Sequence, residues 1–150
     1  MADSPLKTRI TDAMKDAMRA KDKARLGTIR LALSEIKRIE VDERIEPDDA
    51  RIISILDKMV KQRNESIKQY DAGGRQDLVD QEAMEISILK EFLPEAISEV
   101  ELAEIIRTAI AETGAQSVKD MGKVMALVKP RVLGRADMAV VGSQIKSLLG

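Results

Sequence analysis

Lys119, Lys123, Lys129, Arg131, Arg135 and Lys146 stand between Gly114 and Gly150, where the only acids are Asp120 and Asp137. Six cations against two acids leave +4 in a chain whose formal net charge is −1. The balance lies upstream, where Asp80 to Glu112 holds nine acids against Lys90 and Arg107, a local −7. A near-neutral total thus conceals a polarised surface, and a basic face is the electrostatic footprint of a nucleic-acid site. These six residues are the candidate RNA contacts. From charge alone, a solvated helix face is the plainer reading.

Other chemistry finds little to work with. Histidine and cysteine are absent, which removes the commonest general base, thiolate nucleophiles and the usual metal ligands. A zinc site would need carboxylates alone, against the ordinary ligand set. Glu82/Glu85 and Glu101/Glu104 sit a turn apart, but di-metal sites in helical bundles pair such glutamates with Glu-x-x-His motifs. Ser-x-x-Lys occurs at Ser4–Lys7, Ser34–Lys37 and Ser143–Lys146, without the partner motifs of serine acyl-transfer enzymes. No P-loop or Gly-x-Gly-x-x-Gly fingerprint is present. No catalytic residue, cofactor or metal is therefore expected. Tyr70 and Phe92 are the only aromatic residues, so a base-stacking surface cannot be built, and RNA contact would run through phosphates and shape. No apolar run approaches the ~20 residues that span a bilayer, and the first thirty residues carry charges throughout. The expectation is a cytoplasmic protein with no membrane partner.

The elements that must position the cations are helices. Apolar residues recur at three and four, and no strand-like alternation survives. Ser4-Pro5 reads as a cap and first helical residue, starting a helix with Leu6, Ile10, Ala13 and Ala17 on one face. Asp22 caps a second, carrying Leu26, Ile29, Leu33, Ile36 and Ile39. Pro47 opens a third, with Ile52, Leu56, Met59, Val60 and Ile67 inward, stopped at Gly73-Gly74. A fourth runs to about Phe92 with Leu78, Ile86, Leu89 and Leu93 aligned, and Pro94 breaks the chain. Ser98 to Glu101 is a capping box ahead of a stripe of Leu102, Ile105, Ile106, Ala109 and Ile110. Gly114 ends that helix, Ser117 and Asp120 mark the next, and Pro130 ends it. Asp137 caps the last, with Met138, Val141, Ile145, Leu148 and Leu149 inward. The expectation is all-α: an N-terminal domain of about four helices at 1–93, then a small three-helix domain at 95–150.

Around Lys123, helical spacing predicts an inner stripe of Val118, Met121, Val124, Met125 and Val128, with Lys119 and Lys123 on the other side. Arg131 and Arg135 follow closely, so four or five cations would share one surface. Gly114 and Gly134 look like positive-φ positions. Gly122 inside a helix costs about 1 kcal/mol against alanine. A second helix packed against it would account for that, and an approaching RNA backbone is the other explanation. Lys7 to Arg38 holds ten further bases, but Asp12, Asp16, Asp22 and Glu35 interleave with them, the pattern of surface ion pairs.

The strings Asp120-Met-Gly-Lys-Val-Met125, Lys129-Pro-Arg131 and Gly134-Arg-Ala-Asp137 together resemble the YqeY family. So do Lys21-Asp-Lys-Ala-Arg-Leu26 with Arg30, Lys61-Gln-Arg-Asn-Glu-Ser66, Ala72-Gly-Gly-Arg75 and Phe92-Leu-Pro94. The resemblance implies two all-helical domains, the second similar to the GatB tail domain of the glutamyl/aspartyl-tRNA amidotransferase. It implies tRNA, an amidotransferase or an aminoacyl-tRNA synthetase as partners. Gly122, Lys123, Lys129, Arg131, Gly134 and Arg135 are motif positions, with the cations as RNA contacts and Gly122, Pro130, Gly134 and Asp137 as structural members. Val128 and Met138 depart from the family's usual methionine and glycine. The carbon–nitrogen ligase label that travels with the family belongs to other domains of the amidotransferase.

Overall fold

The computed structural model describes residues 4–150, and every regular element among them is helical. The chain divides into two compact units, Met1–Pro94 and Glu95–Gly150.

The first unit holds α1 (Pro5–Ala20), α2 (Lys23–Glu43), α3 (Asp49–Ala72) and α4 (Gln76–Lys90). Local chemistry sets their starts. Ser4 Oγ accepts from Lys7 N, Asp22 from Arg25 N and Asp48 from Arg51 N, satisfying amides that have no partner within the helix. Pro47 is not the first helical residue: it lies ahead of the Asp48 cap and is itself buried. Ile10, Ile29, Ile36, Ile52, Leu56 and Leu89 are fully buried and form the centre of the core.

The second unit holds α5 (Glu99–Thr113), a single 3-10 turn at Val118–Asp120, α6 (Met121–Val132) and α7 (Met138–Leu149). Its core is Leu102, Ile106 and Ala109 from α5, Val124, Val128 and Val132 from α6, and Val141 and Ile145 from α7. Gly114 and Gly134 take φ of 67° and 73°, a conformation that costs a side-chain-bearing residue energy. Asp137 accepts from Ala139 N and starts α7.

Four further expectations are corrected here. Pro130 does not end α6; it lies inside it, surrendering one backbone bond, and fully buried Val132 anchors the turn beyond it. Val118 belongs to the 3-10 turn and is 41% exposed, and Leu148 is 45% exposed, so neither joins the core. Gly122 meets nothing: a Cβ there would have no atom within 4 Å. The close packing expected at Gly122 occurs instead at Gly142, where a Cβ would lie 3.5 Å from Met121 Cε.

Candidate nucleic-acid interface

Helix α6 is the centre of the basic region. Val124, Val128 and Val132, four residues apart, form its inner row. At 3.6 residues per turn, Gly122, Ala126 and Pro130 form the row that points most directly outward, and all three are exposed. Lys123, Leu127 and Arg131 line one edge of that row, and Lys129 lies on the other edge, roughly 160° round the axis from Arg131. The cations therefore do not share one flat face. They border a smooth, uncharged strip of three small residues.

Lys119, Lys123, Lys129, Arg131 and Lys146 are all exposed, and none has a carboxylate partner among the described residues. Some basic residues of the first unit do have partners: Lys7 pairs with Glu40, Arg25 with Glu91, Arg38 with Glu35 and Asp42, and Arg63 with Glu85. Five of the ten bases of Lys7–Arg38 are thus in ion pairs, while Arg9, Lys15, Lys21, Lys23 and Arg30 have no carboxylate partner among the described residues.

Arg135 stands apart from the other five. Its Nη1 and Nη2 donate to the two carboxylate oxygens of Glu101 at 3.1 and 3.0 Å, and Nε donates to the Glu95 carbonyl at 3.1 Å. Its own carbonyl accepts from Ile97 N at 2.9 Å. The residue ties the lead-in of α5 to the turn between α6 and α7. The Ser98 capping box is correspondingly half-formed: Ser98 Oγ accepts from Glu101 N at 3.1 Å, while the Glu101 carboxylate is taken by Arg135. Nothing in sequence spacing announces a pair 34 residues apart.

Asp120, beside the patch, is held below the usual carboxylate range, first by the amide of Gln116, which donates to it at 3.0 Å, then by the amide of Ser117 and the charge of Lys123. It closes the turn before α6 and makes no ion pair with the patch. Among the described residues no cluster of three or more acids could hold a metal ion, and no helix is long and apolar enough to cross a membrane.

Comparison with known proteins sets this geometry in a family. The chain is 29% identical over 147 residues to the altered inheritance of mitochondria protein 41 of Pyrenophora tritici-repentis, covering 95% of this chain and 80% of the relative. The proteins of that name from Kluyveromyces lactis and Saccharomyces cerevisiae are 34% and 30% identical, each over 89% of this chain and over 76% and 77% of their own lengths. All three are named as mitochondrial, which overturns the expected cytoplasmic location. That expectation rested on a charged N-terminal stretch and the lack of long apolar runs, and these features do not distinguish one aqueous compartment from another. The family model for Yqey-like proteins matches residues 7–149, and the chain belongs to that family.

Proposed function

We propose that this chain is a non-catalytic accessory protein that holds the phosphate backbone of a folded RNA, with tRNA the leading candidate, on helix α6. The observation that carries the reading is the strip Gly122–Ala126–Pro130, exposed and uncharged, bordered by Lys123 and Arg131 on one edge and Lys129 on the other, all without acidic partners among the described residues. A backbone laid along small residues can approach closely while flanking cations meet its phosphates. Such contacts position an RNA and carry no sequence information. Lys119, just ahead of α6, extends the charge, Lys146 on α7 adds a further exposed cation, and Arg135 positions the adjoining turn. The relatives' names support the mitochondrion as the compartment.

A second reading has one observation in its favour. The outward side of α7 carries Ala139, Val140, Ser143 and Ser147, flanked by the single charge of Lys146, and Val140 is 50% exposed. Such a face suits docking to a protein, and the tRNA-dependent amidotransferase or an aminoacyl-tRNA synthetase would be the partner. Salt separates the two readings. RNA held through five cations weakens with a log–log slope of about −3.5 to −4.5, whereas an interface with a single charge responds far less. Binding of bulk tRNA and of duplex RNA, each measured at two salt concentrations, tests the proposal. Tighter tRNA binding with a steep slope supports it, and absence of RNA binding at low salt discards it.

A further inference from the structure

The first turns of α1 and α3 and the segment after α4 border a cavity of about 310 Å³ in the N-terminal unit. Leu6, Ile53, Phe92 and Leu93 make it largely apolar, and two charges of opposite sign, Arg9 and Asp49, stand on its wall. Neither forms an ion pair with the other or with any described residue. Both are nevertheless held in place by neutral groups. The Arg9 guanidinium lies over the Phe92 ring, 5.4 Å from its centroid, and donates to the Glu91 carbonyl. Asp49 Oδ1 accepts from Ser4 Oγ and from Leu6 N at 3.2 Å, which leaves Oδ2 without a donor among the described residues. A fixed cation and a fixed anion thus face one apolar space, with their charges unmatched among the described residues.

We propose that this cavity binds a free α-amino acid with an apolar side chain. Its carboxylate meets the planar guanidinium of Arg9, a geometry suited to paired hydrogen bonds. Its ammonium meets Asp49 Oδ2, and its side chain rests on Leu6 and Ile53. Ligand pockets span roughly 300–1,000 Å³, and this one lies at the small end of that range, which suits a small ligand. The site is separate from the α6 patch and does not depend on RNA binding.

The test is calorimetric titration of the full chain with L-leucine, L-methionine and L-phenylalanine, and with two leucine analogues. 3-Methylbutylamine lacks the carboxylate, and 4-methylpentanoate lacks the ammonium. At least one amino acid should bind saturably, and the analogues should bind about tenfold or more weakly, because each leaves one charge unmatched. Asp49→Asn keeps the acceptor for Ser4 and Leu6 but removes the charge, and Arg9→Gln removes the guanidinium. Each should weaken the intact amino acid by about tenfold, with far-UV circular dichroism unchanged. Arg9 is exposed, so Arg9→Gln decides the matter if Asp49→Asn fails to fold. Absence of heat with every amino acid at millimolar concentration, analogues bound as tightly as leucine, or an Arg9→Gln chain that binds like the parent would overturn the proposal.

Discussion

Replacing Arg135 with alanine should weaken the C-terminal unit without weakening RNA contact as much as loss of a free cation does. Three hydrogen bonds are lost, two to Glu101 and one to the Glu95 carbonyl. The side chains of Arg135 and Glu101 are 26% and 46% exposed, so water screens the pair and its share must be discounted toward the 0–1 kcal/mol of surface ion pairs, about 0.5–1 kcal/mol for a bidentate one. The bond to Glu95 adds about 0.5–1.5 kcal/mol. The expected loss is about 1–2.5 kcal/mol, of which the coupling to Glu101 in a double-mutant cycle is about 0.5–1 kcal/mol. Tyr70 and Phe92 both lie in the first unit, so intrinsic fluorescence is blind to this change. Urea unfolding followed by far-UV circular dichroism, with amide hydrogen exchange over α5 to α7, reads it. The same variant should keep the salt slope for RNA, whereas Lys123→Gln should make it shallower by about 0.7–0.9. An Arg135→Ala chain as stable as the parent, with no coupling to Glu101 and a shallower salt slope, would refute the positioning role.

Three further outcomes are expected. Gly122→Ala should stabilise the chain by about 0.5–1 kcal/mol, because the site is helical and open, whereas Gly134→Ala should destabilise it at φ 73°; equal melting shifts would contradict this. Val128→Ala should cost about 1.5–3 kcal/mol, and Val118→Ala less than about 0.5 kcal/mol, since the first is fully buried and the second is 41% exposed; chemical denaturation compares them. Glu82 has its pKa raised, mainly by burial and then by Glu85, so the folded state binds its proton more tightly than the unfolded one. Its charged form therefore opposes folding at neutral pH. Glu82→Gln should stabilise the chain there, with the gain fading as pH falls through the raised value toward the ordinary carboxylate pKa of about 4.3; a gain independent of pH would contradict the assignment.

Helix starts are legible in the sequence because capping is local chemistry: Ser4, Asp22, Ser98 and Asp137 each bond to an amide two or three residues on. The buried stripes are legible from their period, as with Val124 and Val128. What is not legible depends on tertiary context. Pro130 reads as a terminator by its own backbone chemistry, yet burial of Val132 carries the helix past it. Gly122 and Gly142 look alike in sequence, and only the second packs against a neighbouring helix. The sharpest case is Arg135, which sequence groups with five other cations and which Glu101 withdraws from them across 34 residues. Charge can be counted along a chain, but which charges are already paired is decided by the fold.

The most direct test of the central claim is the affinity for tRNA of the Lys123→Glu, Arg131→Glu double variant at low salt. Both side chains are exposed and have no acidic partner among the described residues, so the helix should remain folded by circular dichroism while tRNA binding is lost. Affinity equal to that of the parent chain would contradict the assignment of the α6 strip as the RNA surface.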